Sequence, residues 1–211
     1  MDGILTLIQI LNALKLNRVH LLGHSMGACL ASLAAGVAPE RFLSVALIEG
    51  LGPFSHPADT ACKQLSDYLD YLTKKEPKKS KGYDSFDKAA RARAVKGYVS
   101  LGIAQKLCER GLREEQGFFY WRHDERLFVP SPLRMTEEQI LACLQQVTAK
   151  TCLIIASEGF SFEVKLMQNR AKIMQHLDVK RLEGGHHIHM EEPEMVAGVL
   201  VDFFESRDQN K

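Results

Sequence analysis

Apolar residues at Ile4, Leu7, Ile8, Leu11 and Leu14 recur at the spacing of one helix face, so residues 4–16 predict an amphipathic helix. Residues 18–22 read as a short strand, and 28–38 as a helix of small residues ended near Pro39. Phe42 to Ile48 reads as a second, buried strand. Strand, helix and strand in that order predict a βαβ crossover and a mostly parallel sheet. The pattern then changes. Between 51 and 148 helical runs fall at 63–74, 86–101 and 136–147, with no long strand. Thr136 followed by Gln139 is a capping box that opens the last of these. Alternation returns with a strand at 152–156, a helix at 162–176, a strand at 179–182 and a helix at 193–204, with Pro193 at its first position. The expected organisation is a core built from 1–50 and 149–211, interrupted by a helical insertion at 51–148.

Composition narrows the function classes. The 211 residues carry 27 Lys and Arg against 26 Asp and Glu, a net charge of +1. That balance gives no reason to expect nucleic acid or an anionic surface as partner. The five lysines between 74 and 81 read as a solvated loop, since neither aromatic residues nor a second basic cluster accompanies them. Five cysteines, an odd number with no close CxxC pair, leave at least one thiol unpaired and point to a reducing compartment. Cys29, Cys143 and Cys152 read as small buried hydrophobes. Asp2 stands where a signal peptide would be basic, and no stretch approaches the roughly 18 apolar residues of a membrane span. The expected location is the cytoplasm.

The candidate chemistry centres on Gly23-His24-Ser25-Met26-Gly27, a G-x-S-x-G pattern set between the first strand and the small-residue helix. Such a turn holds a serine hydroxyl exposed at the head of a helix, and the two glycines relieve crowding that a Cβ would bring. The Met26 N–H would face a developing oxyanion. A serine needs a base. His186, directly after Gly184 and Gly185 in a loop that follows the last strand, is the choice among eight histidines. His187 and His189 then read as surface or supporting groups. A metal centre on the loop histidines is the weaker reading, because no carboxylate or cysteine stands at a ligand spacing. The orienting acid is expected to be Glu49, at the end of the second strand, with Glu158, after the strand at 152–156, as the alternative. Glu163 and Asp124 are less favoured.

These pieces together resemble the α/β-hydrolase superfamily, and within it the serine hydrolase-like proteins. The resemblance rests on residues 21–27, 122–127, 152–156 and 185–193, where Gly185-His186-His187-Ile188-His189-Met190-Glu191-Glu192-Pro193 is similar to the family's histidine loop. It implies an α/β fold: an N-terminally truncated α/β-hydrolase fold with a mostly parallel sheet and a helical cap insertion. It carries Ser25 onto the nucleophile and His186 onto the base. Many members place an aspartate three residues after a small residue ending the penultimate strand, where this chain has Phe160 after Ser157. Haloalkane dehalogenases can instead use a glutamate directly after the strand following the nucleophile helix, and Glu49 matches that position. A serine at position 25 in place of their aspartate nucleophile argues against dehalogenase and epoxide hydrolase activity.

The expected function is hydrolysis of carboxylic esters or related small-molecule acyl substrates, without cofactor or metal. The insertion would set substrate selectivity, with Phe118 to Trp121 either lining a pocket or packing within the protein. Only 24 residues precede Ser25, so the opening strands of a family core are expected to be missing. The exposed sheet edge would then suit a protein partner or a second copy. An inactive relative acting as an interaction protein is the alternative.

Overall fold

The computed structural model describes residues 2–74, 82–124, 127, 129, 131–159 and 164–205. Lys75, Lys78, Lys79 and Lys81 of the lysine run, together with Glu125, Arg126, Phe160 and Glu163, lie outside the described residues. In chain order the first elements are α1 (Asp2–Ala13), β1 (Val19–His24), α2 (Met26–Val37) and β2 (Phe42–Ile48). There follow α3 (Ala61–Lys74), α4 (Phe86–Gly97), α5 (Leu101–Gly111), β3 (Leu112–Glu115) and β4 (Phe118–Trp121). The last are α6 (Glu137–Gln145), β5 (Lys150–Glu158), α7 (Val164–Ile173), β6 (Leu177–Gly185), α8 (Ile188–Glu191) and α9 (Pro193–Glu205).

The chain forms two compact units, Met1–His56 with Met135–Lys211, and Pro57–Arg134. The first holds a four-stranded sheet in the order β1-β2-β5-β6, with every neighbouring pair parallel. β2 is central and almost wholly buried, whereas β1 and β6 are edges of the described sheet. Leu22 on β1 is exposed. Side chains alternate between faces along a strand. Val45, Leu47 and Leu153 accordingly face a cluster with Ile4 and Leu11 of α1, Ala31 and Ala35 of α2, and Ile140 and Leu144 of α6. Ile48, Cys152 and Ile154 face the other way, onto Ile188 of α8 and Val196 of α9. Burying Leu47, Leu153 and Ile154 stabilises the unit by about 1.5–3 kcal/mol each. The small residues of α2 let α6 approach closely, and a Cβ on Gly36 would run into the Cys143 carbonyl.

The sequence drew the insertion at 51–148. The second unit instead spans 57–134, and α6 packs with α2 in the first unit. The expected capping box on α6 is present, with Thr136 and Gln139 satisfying each other's backbone N–H groups. Within the second unit, the single helix expected at 86–101 is two. Tyr98 turns left-handed at the end of α4, and Ser100 caps α5 by accepting from the Ile103 N–H. Nor is the unit wholly helical. β3 and β4 form an antiparallel hairpin whose two turn residues, Gln116 and Gly117, both have positive φ, as a primed two-residue turn requires. The unbroken aromatic run 118–121 hides the two-residue alternation that would have marked a strand. Phe119 and Trp121 pack on this unit's own core of Ala89, Ala90, Cys108 and Leu112.

Candidate active site

The carboxyl ends of the parallel strands carry the residues of interest. β1 ends at His24, and Ser25 follows with φ 53° and ψ −117°, a backbone conformation that L-residues rarely adopt. Such strain costs of order 1–3 kcal/mol and persists only where the surroundings impose it. Here the Ser25 N–H donates to the Ile48 carbonyl (2.8 Å), extending the β1–β2 ladder, while the Ser25 carbonyl accepts from the Cys29 N–H (3.0 Å) in the first turn of α2. Gly23 is needed because a Cβ there would strike the Gly27 backbone. Gly27 itself faces open space, so the crowding expected of both glycines holds at Gly23 alone. The second tight position is Gly50, where a Cβ would lie 2.7 Å from the Ser25 carbonyl oxygen.

Ser25 Oγ lies 2.9 Å from His186 Nε2, and His186 Nδ1 lies 3.1 Å from Glu49 Oε2. With the carboxylate ionised, Nδ1 carries the proton and donates to Glu49, so Nε2 presents its lone pair to the Ser25 hydroxyl. Glu49 is buried to 2% exposure and has a left-handed backbone with φ 55°. Its N–H donates to the Ile154 carbonyl (2.9 Å), and its Oε1 accepts from the Ala156 N–H of β5 (2.7 Å). Gly159 completes the enclosure, since a Cβ there would overlap the Glu49 carboxylate. The sequence reading missed Gly159. Its signal, a glycine just after a strand that ends beside the site, is common to many ordinary turns.

The histidine loop is held from both sides. Ser157 Oγ donates to Glu183 Oε2 (2.7 Å) and accepts from the Gly184 N–H (3.2 Å), tying the end of β5 to β6. Gly184 has φ 141°, and Ile188 beyond the loop is fully buried. Met26 is the first residue of α2, so its N–H is among the four at the helix start that find no partner within the helix. Glu158 ends β5 exposed, outside the serine–histidine–glutamate chain. Asp124 belongs to the second unit.

The loop histidines group differently from the sequence expectation. Both ring nitrogens of His186 are engaged by Ser25 and Glu49, and it is His24 that joins His187 and His189. One ring nitrogen from each of these three lies within 4.8 Å of those from the others. The His24 Nε2–H donates to the His186 carbonyl (2.8 Å). Burial holds the His24 pKa below its ordinary value, and burial with the nearby His24 and His186 pushes that of His189 down to about 4. The His189 Nδ1 is buried and has no hydrogen-bond partner among the described residues.

The five cysteines are free thiols, with Cys108 and Cys152 buried, Cys29 and Cys143 half-buried and Cys62 exposed. No described helix is long and apolar enough to cross a membrane.

Comparison with known proteins bears on the fold and the family. The profile of the alpha/beta hydrolase fold matches residues 3–75. Over 96% of its length the chain is 28% identical to a serine hydrolase-like protein of Danio rerio and covers 65% of that protein. It is 29% identical to a protein of Drosophila melanogaster named "Probable serine hydrolase", covering 96% of this chain and 64% of that one. The chain thus spans slightly less than two thirds of the length of these relatives. Among solved structures, a hypothetical protein from Pseudomonas aeruginosa PAO1 superposes with a TM-score of 0.91 at 34% identity, covering 97% of this chain and 73% of that one.

Proposed function

From the premise that this chain belongs to the alpha/beta hydrolase family and to its serine hydrolase-like group, we propose that it carries the reaction centre of a serine hydrolase acting on carboxylic esters or related acyl compounds. The observation that carries the proposal is the continuous hydrogen-bonded chain from Ser25 Oγ through His186 to Glu49. In this reading Ser25 Oγ attacks the acyl carbonyl carbon as its proton passes to His186 Nε2. Glu49 holds the imidazole in the tautomer that leaves Nε2 free to accept, and stabilises the imidazolium that forms. The Met26 N–H, at the positive end of α2, donates to the developing oxyanion. A single donor of that kind contributes about 2.7–4 kcal/mol.

Collapse of the tetrahedral intermediate breaks the bond to the leaving group, which takes its proton from imidazolium Nε2. Water, deprotonated by the same nitrogen, then attacks the acyl-serine, and collapse of the second tetrahedral intermediate releases the acid as Nε2 returns the proton to Ser25 Oγ. Ester and thioester leaving groups both suit this sequence, because His186 supplies the proton that either needs. The test is labelling with a fluorophosphonate probe together with hydrolysis of a short p-nitrophenyl ester. Adduct formation at Ser25 and turnover, both lost in Ser25→Ala, support the reading. A folded chain that forms no adduct and turns over no ester overturns it.

A second reading rests on a different observation. β1 stands at an edge of the described sheet with Leu22 exposed beside it, the type of edge that recruits another strand. A non-catalytic role in binding a protein partner or a second copy would use that edge and predicts no fluorophosphonate adduct.

A further inference from the structure

We propose that His24, His187 and His189 form a binding site for a divalent transition metal ion of the zinc class, next to the Ser25–His186–Glu49 chain and distinct from it. Three observations converge on these rings. Their ligand nitrogens are mutually within 4.8 Å. Three imidazoles around a tetrahedral zinc ion, with Zn–N near 2.0–2.1 Å, hold their nitrogens about 3.3 Å apart, so modest side-chain rotations close the cluster on an ion.

The second observation concerns tautomers. The His186 carbonyl can only accept, so His24 Nε2 must donate to it and the neutral His24 ring keeps its lone pair at Nδ1. A histidine whose far nitrogen is fixed on a backbone carbonyl has the arrangement of metal-binding histidines, where that bond sets ring orientation and raises ligand basicity. The third is that His189 Nδ1 is buried with no hydrogen-bond partner among the described residues. A buried polar nitrogen left that way is costly, and a coordinated ion or a hydrogen-bond donor would remove the cost.

The donor set selects the ion. Imidazole nitrogens suit zinc, copper and nickel, whereas calcium and magnesium require oxygen ligands that this cluster lacks. Three protein ligands leave one position for water. His186 contributes its carbonyl and not its ring, so a metal can occupy the site while the ring stays hydrogen-bonded to Ser25 and Glu49. The ion would clamp the histidine loop to the serine turn, joining the end of β1 to the segment after β6.

The proposal does not depend on Ser25 being a nucleophile, and its test reads binding directly. The chelator-treated protein is titrated with zinc by calorimetry and with cobalt by visible absorption. The expected result is one ion per chain, cobalt bands of nitrogen coordination, and a raised melting temperature with zinc but not with magnesium. His24→Asn and His189→Asn should each weaken zinc binding by more than about 10-fold, while the exposed His176→Gln leaves it unchanged. Circular dichroism checks that the variants fold. Should one not fold, His187→Asn takes its place. Absence of stoichiometric zinc binding to the wild type, or equal affinity in the folded cluster variants, overturns the proposal.

Discussion

His186 Nδ1 lies 3.1 Å from Glu49 Oε2, a contact between side chains 137 positions apart that joins the residue after β2 to the loop after β6. β5 lies between those two strands, so the imidazole spans a strand to reach the carboxylate. Glu49 needs no long reach. Its left-handed backbone turns the side chain under the loop, and the Ala156 N–H of the intervening strand holds the second carboxylate oxygen.

Glu49→Gln is expected to lower kcat for ester hydrolysis by about 10³–10⁴-fold, because an amide can present a donor to Nδ1 and stabilise the wrong tautomer. Glu158→Gln, at the exposed end of β5, should leave kcat within about twofold. Steady-state kinetics of the two variants side by side check this. A large loss in the second and none in the first would reverse the assignment of the acid.

Gly159→Ala places a methyl group against the Glu49 carboxylate. The expected outcome is a displaced carboxylate and a kcat loss of about 10²-fold, the scale of a 1 Å error in catalytic geometry. KM and far-ultraviolet circular dichroism should stay close to wild type. A variant with full kcat would show that the loop yields more easily than the carboxylate.

Acid should weaken the fold through Glu137. Its hydrogen bond to Arg170 is the main cause that holds its pKa below the usual carboxylate value, and Arg170 is itself only 1% exposed and also donates to the Leu51 carbonyl. A carboxyl depressed in the folded state contributes stability that is present above its unfolded value of 4.5. That contribution is lost as pH falls through the lower folded value. Urea midpoints measured from pH 7 downward should therefore fall below pH 4.5 more steeply in wild type than in Glu137→Gln. At pH 7 that variant should be less stable by about 3 kcal/mol, since it leaves a buried guanidinium without its counter-charge.

Thiol reactivity should separate the cysteines. Cys62 is exposed on α3, whereas burial pushes the Cys152 thiol up to about 11. A thiol reagent at neutral pH is expected to modify Cys62 first and Cys152 only on unfolding. Peptide mapping of the labelled native protein checks the order.

Much of the architecture was legible because its signals are local. The apolar run 42–48 coincides with β2, and Thr136 and Gln139 announce α6 through chemistry confined to one turn. Ser25 and His186 could be singled out from glycine spacing and from their places beside strand ends. Residue patterns favoured Glu49 over Glu158 as partner of His186 without deciding it, since both end a strand. What separates them is a left-handed backbone and an N–H from a strand more than a hundred positions away. The hairpin at 112–121 was hidden by consecutive aromatic residues. The histidine cluster was hidden because His24 lies far in sequence from His187 and His189.

The hydrogen bond from the Ala156 N–H to Glu49 Oε1 makes a backbone amide of β5 a natural spectroscopic sentinel for the carboxylate. Its proton resonance will move whenever Glu49 gains a proton, turns away or loses His186, without any label placed in the site. Because that amide donates to the carboxylate, its exchange with solvent also records how often Glu49 lets go of β5. One resonance thus follows both the charge state of the acid and the bond that ties it to the strand.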